Sequence, residues 1–376
     1  MSGTKKKKGA AVFATSRRTL YLVVVVAFFA CTTVVYAIVY FAAPQVQFSR
    51  AFTATSTAIR ITKPQLNKVD YDKRMWLLAN NGTSTMPDAN STHSTSSGQA
   101  TTPHYEWPVK TVYPNAGALL PFHRIVAYYG NFYSTGMGVL GQYPPDVMIE
   151  KLKAAVAEWN AADPSTPVMP AIDYIAITAQ EAPVDGTYRA RMPSSQIDIA
   201  LELAARVHGI VILEVQVGLS TLQKELPLLE KYLKLPTVHL ALDPEFSMKT
   251  GDKPGDVIGS FNAADINYSA EYMAKLVRDN DLPPKILVIH RFTGDMVTGY
   301  RNIRPLPEVQ IVMDMDGWGS PPKKINTYNV FVASEPVQFT GFKIFYKNDL
   351  KPPSTRLLTP EELLKLHPVP SFIQYQ

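Results

Sequence analysis

Asp243 and Glu245 close the run TVHLALDPEF, Thr237 to Phe246, and no other acids in this sequence are better placed for chemistry. Apolar residues alternate up to Leu242 as in a buried strand, and then two carboxylates appear with a proline between them. Pro244 has no N–H for a ladder and biases Asp243 toward extended backbone. The strand should therefore end near Asp243 and lift Glu245 into the next loop. Two carboxylates held close do not both ionise easily; one pKa rises and leaves a proton donor beside an anion. Glycoside hydrolysis uses such a pair, one group as general acid and the other as nucleophile, base or electrostatic partner. The plainer reading is a turn in which Asp243 caps the loop opened by Pro244.

Polar residues recur at the ends of the other apolar runs. They are Asp173, Glu214 with Gln216, His290, Asp314 with Asp316, and Lys343. Side chains two apart on a strand share a face, so each of these pairs points one way, toward a common axis if the strands close into a barrel. Such groups are costly to bury without purpose. Singly, each has a structural reading: His290 as a rim histidine, Asp173 as half of a buried salt bridge with Lys343. Tyr129, Glu214, Gln216, His290, Asp316, Trp318 and Lys343 form the expected substrate-binding set. Trp318, in DGWGS, is the ring expected to stack on a sugar, whereas Tyr128, Phe132, Tyr133, Phe246, Phe345 and Tyr346 read mostly as packing. Asp243, Glu245, His290 and Asp316 also suit a hard divalent cation. No HxH or HExxH spacing is present, however, and the expectation is no metal and no cofactor.

The elements that must hold these groups alternate short apolar runs with stretches of helical period, the pattern of repeated βα units. Strands are expected at Arg124 to Phe132, Val168 to Thr178, Gly209 to Gly218, Thr237 to Phe246, Lys285 to Phe292, Val309 to Gly317 and Phe339 to Tyr346. An eighth is expected in the tail VPSFIQY. Helices are expected at PPDVMIEKLKAAVAEWN, SSQIDIALELAARVHG, STLQKELPLLEKYLKL and AADINYSAEYMAKLVRDN, with Ser194 and Ser220 as N-caps and Gly209 closing the second. No Gly-rich phosphate loop follows the first strand, so the fold class is α/β, a single (β/α)₈ TIM-barrel-like domain at 120–376.

The formal charge of +5 is local. Lys5, Lys6, Lys7, Lys8, Arg17 and Arg18 precede any acid, and the rest of the chain is near neutral, which removes the case for nucleic-acid binding. Leu20 to Ala43 carries no charge and is long enough to cross a bilayer of about 30 Å. With basic residues on its N-terminal side, it predicts a cytoplasmic tail at 1–19, one transmembrane helix at 20–43 and an extracytoplasmic remainder at the cell membrane. Cys31 is the only cysteine, so no intrachain disulfide can form, and it reads as a membrane-buried thiol rather than a lipidation site. Residues 44–119 are rich in Ser, Thr, Pro and Asn and read as a stalk, with sequon patterns at Asn81 and Asn90. Within it RMWLLA, Arg74 to Ala79, is an apolar patch able to dock on the domain or the membrane. Arg189 and Arg191, in DGTYRARMP, read either as a loop for anionic sugars or as a solvated turn.

The strings YYGNFYSTGMGVLG, DGTYRARMP, ALDPEF, PGDVIGSFNAADIN, LVIHRFTGDM and GFKIFY together resemble an uncharacterised family of membrane-attached or lipoprotein-like bacterial proteins, frequent in actinobacteria, over Arg124 to Tyr375. The resemblance implies a barrel outside the membrane. The Asp-x-Glu strand end is also similar to that of barrel lysozymes of the N,O-diacetylmuramidase type, and implies Glu245 as proton donor with Asp243 as its partner. The first strand lacks the muramidase's acid. The expected function is a membrane-anchored glycoside-hydrolase-like barrel acting on cell-surface polysaccharide. The alternatives are a non-catalytic glycan- or protein-binding barrel and a metal-dependent hydrolase or lyase.

Overall fold

A computed structural model describes residues 63–80, 107–109, 111–183 and 185–376. The basic tail, the apolar run Leu20 to Ala43, Cys31 and both sequons lie outside the described residues. Among the described residues, no helix is long and apolar enough to cross a membrane.

Eight strands form the core: β1 Arg124–Gly130, β2 Val168–Ala179, β3 Ile210–Val215, β4 Val238–Leu242, β5 Lys285–Arg291, β6 Val309–Met315, β7 Phe339–Ile344 and β8 Phe372–Tyr375. Each pairs in parallel with its sequence neighbours, and β1 pairs with both β2 and β8, so the sheet closes. All eight lie where the hydrophobic periodicity put them, the eighth in the tail. A closed parallel sheet is buried on both faces, which is why the strands read as near-continuous Val, Ile and Leu.

Alternation divides each strand into two stripes. The outward stripe, with Val126, Leu213, Leu240, Ile289 and Ile373, packs against the surrounding helices through residues such as Leu152, Leu226 and Met273. The inward stripe changes character along the axis. Its N-terminal half is apolar: Ile125, Ala127, Ala171, Ile212, Ala241, Val288, Val312, Phe339 and Phe372. Its C-terminal half is polar, and the candidate residues occupy it.

Helix α1, Lys68–Asn80, continues the lower layer. Tyr71 and Met75 are buried in the same cluster as the inward apolar residues, and Val369 N donates to Leu78 O at 2.8 Å. This corrects the stalk boundary, because residues 68–80 form an integral helix, and it gives RMWLLA its role in closing the N-terminal end of the barrel. Trp107, also within the expected stalk, donates from Nε1 to Ala333 O at 2.7 Å.

Crossover helices α2 Pro145–Ala162, α3 Ser194–Arg206, α4 Leu222–Leu233 and α5 Ala263–Asp279 match the expected four. Their caps do not. Ser194 is the first helical residue after Pro193, and Ser220 precedes the actual cap Thr221 and instead donates to Glu225. The left-handed residue ending α3 is His208, φ 51°, and Gly209 N bonds Ala204 O beyond it. Between β5 and β6 no α-helix forms. A two-residue strand, Val297–Thr298, pairs there with Phe261–Asn262. Helix α6, Pro321–Tyr328, follows β6.

Truncating Met75 to Ala should leave a cavity under the barrel and cost about 2–5 kcal/mol, whereas Val69→Ala, at a residue 80% exposed on the same helix, should cost almost nothing. Denaturant unfolding of the two variants checks this; equal stabilities would detach α1 from the fold.

Candidate active site

All eight strands send a polar side chain into the C-terminal half of the barrel: Tyr129 from β1, Asp173 from β2, Glu214 from β3, Asp243 just past β4, His290 from β5, Asp314 from β6, Lys343 from β7 and Gln374 from β8. The strand register makes His290 and Asp314 direct neighbours, and likewise Lys343 and Gln374. At the level of Asp314 the β7 partner is Gly341, where an added Cβ would lie 2.5 Å from Asp314 Oδ1 and 2.9 Å from Phe372 Cδ1. Glycine is what leaves room for that carboxylate.

His290, fully buried, is the centre. Its Nε2 lies 3.0 Å from Glu214 Oε2, and its Nδ1 lies 3.2 Å from Asp314 Oδ2 and 3.3 Å from Asp316 Oδ2. These are ion-pair distances without hydrogen-bond alignment. Burial alone would lower the imidazole pKa, but the charges of Glu214 and Asp316 and the contact with Asp314 outweigh it and hold the ring well above its usual range. Burial would likewise raise Glu214, yet His290 and then Lys343 keep it below the ordinary carboxylate value. Lys343 Nζ pairs with Asp316 Oδ1 at 3.0 Å and sits 3.8 Å from the Tyr129 ring centroid. Burial opposes its charge, but Asp316, Glu214 and Asp243 hold it above the free lysine value.

Around this centre the remaining acids are pushed toward neutrality. Asp173 rises to about 8 through burial and the Glu214 charge, and accepts from Gln374 Nε2 at 2.6 Å. The expected Asp173–Lys343 salt bridge does not form, because Lys343 is turned to Asp316. Asp243 rises well above its usual value through burial and Glu214. Gln216 ties the upper layer together. Its Oε1 accepts from Ala179 N at 3.0 Å, while Nε2 donates to Glu214 Oε1 at 2.7 Å and Asp243 Oδ2 at 3.4 Å. Tyr129 Oη donates to Glu214 Oε1 at 2.8 Å.

The Asp-Pro-Glu end of β4 forms the capped turn of its plainer reading and places both carboxylates at the mouth of the barrel. The strand stops at Leu242, Pro244–Phe246 forms a 3₁₀ turn, and Asp243 Oδ1 caps it by accepting from Glu245 N at 3.0 Å. Asp243 is thus a cap and also part of the polar centre. Glu245 is lifted to the mouth, where Gly259 N holds its carbonyl at 2.7 Å. Burial, then the charge of Asp316, raise the Glu245 carboxyl to about 7, against the opposing pull of Lys343 and His290. Among the described residues that carboxyl has no hydrogen-bond or ion-pair partner.

Above the centre opens a cavity of about 570 Å³, lined by Tyr129, Gln216, Asp243, Glu245, Asp316, Trp318 and Lys343 among others, with Phe246, Phe292 and Phe345 as apolar wall. Of the nine expected site residues these seven line one cavity, and Glu214 and His290 lie directly beneath, bonded to its lining. Trp318 is 46% exposed at the rim. Gln374 was missed, although a lone glutamine in the apolar tail SFIQY is a signal. The metal-ligating set is not assembled. Among the described residues no group of three or more His, Cys, Asp or Glu is placed to hold a cation. Arg189 and Arg191 belong elsewhere and are neither a sugar loop nor a solvated turn. Arg189 donates to Glu225 at 2.9 Å and Arg191 at 2.8 Å, clamping the short strand Arg189–Arg191 onto buried Glu225 of α4.

No protein-family model matches this chain, and no curated protein matches it at a significant level. Among solved structures, a GH5-4 broad specificity endoglucanase from Clostridum cellulovorans is similar at TM-score 0.35 and 9% identity, over 69% of this chain and 85% of that one. Plasmodium falciparum HPPK-DHPS, solved with pteroate, is similar at TM-score 0.34 and 11% identity, over 70% of this chain; the chain spans about half, 47%, of its length. The barrel itself rests on the closed strand pairing.

An acid whose pKa rises from about 4.5 to about 7 on folding binds more protons in the folded than in the unfolded state between those values, so it costs stability as pH climbs through that window. Glu245→Gln removes that cost. Its melting temperature relative to the parent chain should rise by a few degrees between pH 5 and pH 8, read by calorimetry; a flat or falling difference would remove Glu245 from this electrostatic field.

Proposed function

We propose that the barrel is a glycoside-hydrolase-like domain acting on polysaccharide by carboxylate chemistry, with Glu245 as general acid. The supporting observation is that Glu245 opens onto the cavity with an uncommitted carboxyl group poised near neutrality, while the other acids of the centre are paired or capped. A proton donor must hold its proton at working pH and reach the leaving oxygen, and this group meets the first condition by burial and by the neighbouring Asp316. Asp243, its carboxyl pushed upward by burial and by the Glu214 charge and tied to the backbone of Glu245, assists by fixing the turn that aims it. Asp316, ion-paired with Lys343 at the cavity floor, is the carboxylate available to stabilise developing positive charge on the sugar. Glu214, Gln216, Tyr129 and His290 hold that floor rigid, and Trp318 offers a ring at the rim. The charge-free run at 20–43 and the basic residues before it support a cell-membrane anchor with the barrel outside.

A second reading, a non-catalytic barrel that binds glycan or protein, draws on the pairing of Glu214 with His290 and of Asp316 with Lys343, which neutralises the centre.

Incubating the full chain with a panel of cell-wall polysaccharides distinguishes the two. The hydrolase reading expects reducing ends to appear, activity to fall as pH rises past about 7 with loss of the Glu245 proton, and Glu245→Gln to lower the rate about 10²–10⁴-fold. Silence across the panel, with equal polysaccharide retention by both proteins, would leave the binding module.

A further inference from the structure

The rim of the cavity carries an arrangement that neutral sugar stacking does not explain. Trp318 is half exposed, and the ammonium groups of Lys323 and Lys351 each stand 5.0 Å from its ring centroid. Lys323 reaches it from the start of α6 and lines the cavity; Lys351 comes from the loop after β7. Both lysines are exposed, and among the described residues neither has a carboxylate partner. The carboxylate on that wall, Asp349, is buried and already engaged by Lys324 Nζ at 2.6 Å and by the amides of Gly319 and Phe345.

Two cations converging on one ring are at most about 10 Å apart, comparable to the screening length in physiological salt, so they repel each other without an acid to balance them. Gly319, φ 147°, lies beside the lysine stem, with Lys323 Cδ 2.7 Å from where a Cβ would stand. A neutral sugar stacking on Trp318 must compete with ammonium groups for the ring, whereas a sugar carrying an anion satisfies ring and ammonium together.

We infer that the Trp318–Lys323–Lys351 group is a subsite for an acidic saccharide, a pyranose ring bearing a carboxylate or sulfate, that the ring stacks on Trp318 and that its anion sits between the two lysines. The inference rests on the carbohydrate reading of the cavity and names its substrate class.

Calorimetric titration of the full chain with hexagalacturonate, a sulfated carrageenan hexamer and cellohexaose tests it. At least one anionic hexamer should bind tenfold or more tighter than cellohexaose, with a preference that shrinks in high salt, and the tighter of the two assigns the anion. The double variant Lys323→Ala/Lys351→Ala should reduce that preference at least fivefold, and Lys323→Arg/Lys351→Arg should retain it, with unchanged melting temperatures showing intact folds. Equal binding of neutral and anionic hexamers, indifferent to the lysines, overturns the subsite and leaves the carbohydrate reading standing. Absence of binding by all three overturns both.

Discussion

The site depends on one buried imidazole. His290 has no solvent to share its charge, so it is tolerable only because Glu214, Asp314 and Asp316 converge on its two nitrogens. Those carboxylates are in turn affordable only because His290 and Lys343 stand among them. Removing one member leaves another buried and unpaired, the case in which ionic groups are most destabilising. The field of this cluster sets the remainder: Asp173 and Asp243 are driven toward neutrality, Tyr129 and Gln216 are oriented as donors, and Glu245 is left at the edge.

The barrel supports such a cluster by dividing labour along its axis. Below, inward residues from Ile125 to Phe372 form a dry layer that α1 seals; above, the same stripes turn polar. The dry layer supplies the low-dielectric wall that strengthens every charge interaction above it. Closure supplies the rest, since a ring of strands brings residues 85 positions apart, Tyr129 and Glu214, within 2.8 Å. At the bottom the polar exceptions serve backbone: Gln310 accepts from the Leu119 and Leu120 amides, and His239 accepts from Ile286 N.

Strands were legible because burial on both faces leaves a long apolar signature, and the site was legible because charges interrupt that signature. Asp173, Glu214, His290 and Asp314 stand out against Val and Ile for that reason. What could not be read was pairing. Whether Lys343 meets Asp173 or Asp316 depends on side-chain reach across the barrel, and Arg189 and Arg191 find Glu225 on a helix more than thirty residues away. Helix α1 was hidden because only Tyr71 and Met75 are buried on it, too sparse a stripe to stand out within a polar stretch. Caps failed at Ser194 and Ser220 because a neighbouring Pro193 or Thr221 took the boundary, and the missing helix after β5 lies in a segment whose composition resembles the other connections.

The seal made by α1 also fixes the topology of traffic. With Tyr71, Met75 and Leu120 filling the lower end, the barrel is a cup with a single mouth and not a tunnel. On the polysaccharide reading proposed above, a long polymer could not be threaded through it; it would have to lie across the rim and depart by the side from which it came. Any directionality along the polymer would therefore have to come from asymmetry of the rim, where the phenylalanines, Trp318 and the lysines are unevenly distributed, and not from a channel.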